Sequence, residues 1–197
     1  DELIDFIFDY IRRKSEVIIF FWSFCIICIG IAITVRINIA GYFPLKNIIF
    51  HSILGLFAFP LLLVPLHEFI HIITYLMAGA KRIRVGIELK QYMIYVTAHR
   101  YVTGRKPFIL VALAPFITIS LSLVILVLIL PGLWKWSLSL VLFVHATMCA
   151  GDFAMLNFYF INRKKKIYTW DDFEKKTAYL YFIVKISCFL FKIIPGI

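Results

Sequence analysis

Charge is what this sequence has least of. Asp, Glu, Lys and Arg make up 16% of its 197 residues, against about 25% in soluble domains. Hydrophobic residues reach 62%, and the mean hydropathy is +0.93. A water-soluble fold of this size cannot hide so much apolar surface, and a disordered chain would not carry it. Cysteine is scarce too. The four present (Cys25, Cys28, Cys149 and Cys188) all lie in apolar stretches, which excludes a secreted disulfide scaffold. Cys25-Ile-Ile-Cys28 has CxxC spacing but sits inside a lipid-length run, so all four read as small buried hydrophobes. A coiled coil is excluded as well, and a polytopic membrane protein remains.

Acidic residues are the rarer charge, 11 against 21 Lys and Arg, for a net charge of +10. In a soluble chain that excess suggests nucleic acid. Here the cations stand in short runs between apolar stretches, the positive-inside pattern, so no nucleic-acid partner is expected. The chain opens on Asp1 rather than Met, and no cleavable signal is expected near its start.

The uncharged runs set the layout, a single membrane domain over 1–197. Residues 1–14 predict an amphipathic helix, with Asp1, Asp5, Asp9 and Arg13 on one side and Phe6, Ile7, Tyr10 and Ile11 on the other. It lies in the membrane interface or packs on the bundle. Residues 17–35 are long enough for a first span. Residues 48–80 are too long for one straight span. Pro60 and Pro65 divide them into an approach segment and a helix ended by Gly79. In 81–107, Ile83, Val85, Ile87 and Leu89 alternate with polar residues, and Tyr92, Ile94 and Val96 continue the pattern, predicting a β-hairpin. Residues 108–130 and 136–160 give two more spans, the first interrupted by Pro115. Residues 178–197 carry Lys185 and Lys192 seven apart and read as an interfacial helix or a fifth span.

Basic residues orient these spans. Arg12, Arg13 and Lys14 precede the first, and Arg163 to Lys166 follow the fourth. The 81–107 loop holds seven cations, Lys90 among them, whereas Lys46 and Lys135 mark the sparse opposite side. The expectation is an all-α polytopic membrane protein in a bacterial or archaeal cell membrane. It has four transmembrane helices, both termini cytoplasmic, a small cytoplasmic β-hairpin and interfacial helices at both ends.

One motif carries chemistry. His67-Glu68-Phe69-Ile70-His71 is HExxH. On a helix, residues i and i+4 share a face about 6 Å apart, within reach of one tetrahedral Zn²⁺. Glu68 beside them can move a proton from a zinc-activated water to a leaving group. With five His in the chain and as many Glu, the motif arises by chance in roughly 0.3% of such compositions. An acid at that depth costs several kcal/mol without compensation. No Lys or Arg lies in the four spans to compensate it.

A third ligand is needed if water is to hold the fourth position. Thr74 and Met77 stand where an extended motif would have Gly and His, and Glu88 and Glu174 lie in polar segments. Asp152 is the other acid within a span. At 1.5 Å per residue, His71 and Asp152 fall about 14 and about 15 Å from the cytoplasmic ends of their helices. Asp152 is therefore the expected third ligand, with a helix cap after Gly151 as the alternative. His145, two turns before Asp152, is either a satisfied core histidine or a group behind the ligands or against substrate. Asn157 contacts substrate backbone or a neighbouring helix, and His51 reads as an interface residue.

HExxH in one span, a β-rich segment, a span with Leu113-Ala114-Pro115-Phe116 and a span carrying an Asp resemble the three-helix core of site-2 proteases. More closely, residues 61–160 resemble the small membrane family of putative zincin peptidases. The resemblance implies an intramembrane zinc metalloprotease whose partners are the lipid bilayer and a membrane protein or peptide substrate. It brings Pro115 forward as a possible substrate contact. The alternatives are a zinc peptidase acting on peptides at the cytoplasmic face and a non-catalytic metal-binding transporter or sensor. Oligomeric state is not legible.

Overall fold

The structure is a computed structural model that describes residues 2–88, 93–174, 177–184 and 187–192. Helix α1 (Glu2–Arg12) leads to α2 (Glu16–Asn38), whose start is fixed by Ser15. The Ser15 side chain accepts from the Ile18 amide at 3.3 Å, satisfying a donor the helix leaves unpaired. Next come α3 (Leu45–Ile53), a π-helical turn (Leu54–Ala58) and α4 (Phe59–Met77). Helix α5 (Arg105–Ile129), α6 (Gly132–Met148) and α7 (Ala150–Ile161) complete the bundle. Three helical stretches are long and apolar enough to cross a membrane, and α6 with α7, bent by 43°, form a fourth if counted as one span.

Two boundaries differ from the expectation. The run stays helical over Leu45–Met77, and its α-helical ladder is interrupted at the π turn just ahead of Pro60 rather than divided at the prolines. The widened turn sends the Phe59 amide to the Leu54 carbonyl, and Gly55 within it lies against α6. A Cβ built there would stand 2.5 Å from the Ser137 carbonyl oxygen and 2.9 Å from the Leu140 Cβ. The run 136–160 is broken, at Cys149, and no proline marks the break. Gly79 ends α4 as expected. It adopts φ +96°, a region open to glycine, and the Ala80 amide reaches back to the Tyr75 carbonyl at 3.0 Å.

Apolar side chains fill both the inside and the outside of the bundle. Phe21, Cys25, Cys28, Phe116, Leu142 and Phe153 are buried in one cluster. Ile26, Ile37, Leu61, Phe69, Leu128 and Ile129 stand exposed on the outer faces. A helix that is apolar all round belongs in a large core or in lipid, and this outer surface is that of a membrane protein. Cys25, Cys28 and Cys149 are free and buried; the Cys188 side chain is outside the described residues. Helix α1 packs its apolar face on α7, with the Tyr10 and Phe158 rings 5.2 Å apart.

The alternation in 81–107 forms the expected hairpin. Strands β1 (Ile83–Glu88) and β2 (Met93–Ala98) pair antiparallel, with Val85 opposite Val96. Lys90 and Tyr92 lie outside the described residues. Ala98 packs with Tyr75 of α4 and Val111 of α5, which seats the hairpin under the helices.

Among the described residues of 178–197, the expected C-terminal helix or fifth span is not what forms. A second sheet takes its place, in the order β3 (Thr103–Gly104), β4 (Lys166–Asp172), β5 (Thr177–Val184), β6 (Ser187–Lys192). Aromatic and β-branched residues dominate Thr177–Val184, and such residues favour a pleated surface. Strand β4 supplies the partner, with Tyr168 opposite Tyr181. Lys185 lies outside the described residues, and Lys192 ends a strand, so their spacing marks no helical face.

The close approach at Gly55 gives a test. Gly55→Ala is expected to destabilise the protein by about 1–3 kcal/mol, because helix backbone cannot move aside cheaply. Gly30→Ala meets nothing within 4 Å and should leave stability unchanged or slightly raised. Thermal unfolding in detergent reads both.

Candidate metal centre

The HExxH pair straddles the middle of α4, and the one-turn spacing turns both imidazoles to the same side, toward α5, α6 and α7. His67 and His71 are 7% and 9% exposed, and their Nε2 atoms are 3.1 Å apart. Asp152 enters from the first turn of α7. Its Oδ2 is 3.2 Å from His67 Nε2 and its Oδ1 3.4 Å from His71 Nε2. The break at Cys149 makes this possible, because it starts a new helix just before Asp152. The carboxylate then lies near unpaired amides and the positive end of a helix dipole. Asp152 does not cap that helix, since Cys149 holds the N-cap position and no side-chain cap bond forms; its carboxylate points at the two histidines instead.

These spacings suit a metal. Ligand atoms at about 2.0–2.1 Å from a tetrahedral Zn²⁺ lie about 3.3 Å from one another; the two Nε2 atoms, and each of them with one of the two Asp152 oxygens, stand near that value. His71 is held from behind, with its Nδ1 3.1 Å from the Val111 carbonyl oxygen. A carbonyl only accepts, so His71 carries a proton on Nδ1, and in the neutral ring a metal ligand requires this turns a bare Nε2 to the cluster. The rear nitrogen of His67 is buried and finds no partner among the described residues. Bringing two nitrogen donors and a carboxylate together in an apolar bundle is costly unless a cation or shared protons neutralise the group. The residues therefore fit Zn²⁺, and His67, His71 and Asp152 form a group that could hold it.

Glu68 is half-buried and within electrostatic reach of His67, His71 and Asp152. Among the described residues no hydrogen-bond donor takes up its carboxylate, which leaves it free to handle a proton.

The remaining sequence candidates divide. His145 is fully buried beside the site. Its ring lies 5.7 Å from that of His67, its Nδ1 meets the Ser120 hydroxyl at 3.3 Å, and its Nε2 faces Cys149 Sγ at 3.8 Å. Pro115 is buried in α5, one turn after Val111. Asn157 turns away from the cluster and donates to the Tyr10 and Arg13 carbonyls, at 2.6 and 2.9 Å, tying down the end of α1. His51 bonds to Ser137 Oγ at 2.9 Å between α3 and α6. Glu174 pairs with Arg100 at 3.2 Å outside the bundle, and the Glu88 side chain is outside the described residues.

Two features were not picked out from the sequence. Cys149 joins His67 and His145 in a second group of ligand atoms; its signal was the one-turn spacing to His145. The Val111 carbonyl, a backbone atom, left its signal in the proline four residues later. A third group, His99, Asp172 and Glu174, lies at the sheets. Arg100 already approaches both of its acids, at 4.0 and 3.2 Å, so it makes no case for a cation.

No curated protein and no solved structure matches the chain. A protein family does. Its members are described as putative zincin peptidases, and the match covers residues 60–168, from the start of α4 through the bundle into β4. This stretch holds all three candidate ligands and Glu68, and on that match the chain belongs to the putative zincin peptidase family.

Proposed function

We propose that this protein is an intramembrane zinc metalloprotease that hydrolyses peptide bonds of membrane-embedded or membrane-adjacent substrates. The observation that carries the reading is the meeting of His67, His71 and Asp152 at 3.1–3.4 Å with an unengaged Glu68 beside them, inside a bundle with an apolar outer face. Zn²⁺ bound there would supply Lewis acidity, polarising a carbonyl and making water acidic enough to ionise near neutral pH. His67, His71 and Asp152 would hold it. Glu68 accepts the proton released by the attacking water and returns it to the leaving amide nitrogen. A transporter or sensor needs ligands but no such base, so Glu68 favours hydrolysis.

A substrate helix hides its carbonyls in its own hydrogen bonds and must open before cleavage. Among the described residues β1 pairs with β2 alone, so its other edge is open to an added strand. The hairpin packs against α4 and α5 near the end of the helix that carries HExxH, where an unwound segment would pass. By the positive-inside rule that end, with both termini, would face the cytoplasm.

Glu68→Gln should keep zinc and lose turnover by about 10²–10⁴-fold, because an amide can hydrogen-bond water but cannot take its proton. His67→Ala and Asp152→Ala should lose zinc, whereas Glu174→Ala should keep it. Metal content and cleavage of single-span substrates check these outcomes, and a Gln variant cleaving near the wild-type rate would remove Glu68 from the mechanism.

Topology gives an independent expectation. Lys46 and Lys135 belong to one end of the bundle, where Phe43 approaches Gly132, and Arg84 and Lys165 to the other. Cysteines at Lys46 and Lys135 should react with an impermeant thiol reagent from outside the cell, and cysteines at Arg84 and Lys165 should not. The reverse pattern would put the site nearer the outer face.

A further inference from the structure

In an α-helix the amide of each residue donates to the carbonyl four residues earlier. Pro115 has no amide hydrogen, so within α5 (Arg105–Ile129) the carbonyl of Val111 lacks its regular donor. A buried carbonyl without a donor is unfavourable, and both residues are buried. The structure fills the vacancy from another helix: His71 Nδ1 stands 3.1 Å from that oxygen. Pro65 in α4 vacates the Leu61 carbonyl by the same rule, but Leu61 is 73% exposed and no described side chain takes its oxygen. The two prolines therefore do different things, although both lie inside spans.

We infer that Pro115 is a positioning residue for the metal centre. By lacking an N–H it keeps the Val111 carbonyl open for His71, which fixes that ring with Nδ1 protonated and Nε2 aimed at His67 and Asp152. Histidine ligands generally need such a rear acceptor, which sets the tautomer and the ring plane. Here the acceptor is a backbone atom, freed by a residue one turn further along α5. This rests on the zinc reading above but does not depend on what the enzyme cleaves.

The test is zinc affinity of the purified full-length protein in detergent, measured by competition with a chelator, with no substrate present. Pro115→Ala restores an amide that competes for the Val111 carbonyl, and zinc should bind about 10–100-fold more weakly, the usual cost of losing a rear partner. A second variant separates this from any change in helix shape. Replacing Pro115 by lactic acid, introduced by nonsense suppression, removes the ring but puts an ester oxygen where the amide would be, so the carbonyl stays open. Its zinc affinity should remain within about threefold of wild type. Equal loss in both variants would assign the effect to the proline ring and overturn the inference, as would no loss in either. Wild type that binds no zinc would overturn the metal reading itself, and this inference with it. Wild type that binds zinc alongside an unaffected Pro115→Ala variant would overturn the inference alone.

Discussion

The arrangement turns on one electrostatic constraint. A carboxylate placed among apolar helices must be paired, protonated or bound to a cation, and Asp152, with its oxygens 3.2 and 3.4 Å from two imidazole nitrogens, meets this constraint when a proton or a cation lies between them. Much of the bundle serves that placement. The break at Cys149 delivers Asp152 on a fresh helix start, α5 supplies the carbonyl that turns His71, and Ser120 holds His145 just behind His67. Bending the last span by 43° would be wasteful if the helix only had to cross a bilayer. It becomes economical if a negative charge has to be set at a helix N-terminus within the apolar layer.

Charge scarcity also explains how much of the site could be read from residues alone. With so few ionisable groups in the spans, each one stands out, and HExxH places two imidazoles on one face by helix geometry. Counting residues from the basic ends of the two helices puts Asp152 level with them, and the structure sets its carboxylate oxygens 3.2 and 3.4 Å from the two imidazole nitrogens. The hairpin was legible from period-two alternation, which pairs Val85 with Val96 and Ile87 with Ile94.

What was not legible has physical reasons. Apolar, aromatic-rich Thr177–Val184 satisfies a helix and a strand equally until its partner is known, and β4 was hidden behind the Arg163–Lys166 run that reads as a stop. The break at Cys149 has no proline to announce it, and the π turn at Leu54–Ala58 is set by the close approach of Gly55 to α6, a tertiary contact. Backbone carbonyls have no letter in the sequence. The Val111 oxygen could be found only by asking what Pro115 fails to donate.

The central claim is that nitrogen and carboxylate oxygen hold the metal, although a free thiol lies close by at Cys149. X-ray absorption at the zinc edge of the purified protein tests it directly. The account predicts a first shell of light atoms alone, two of them imidazole nitrogens, at about 2.0–2.2 Å. A sulfur scatterer at about 2.3 Å would place the ion with His145 and Cys149 instead and contradict the assignment of His71 and Asp152.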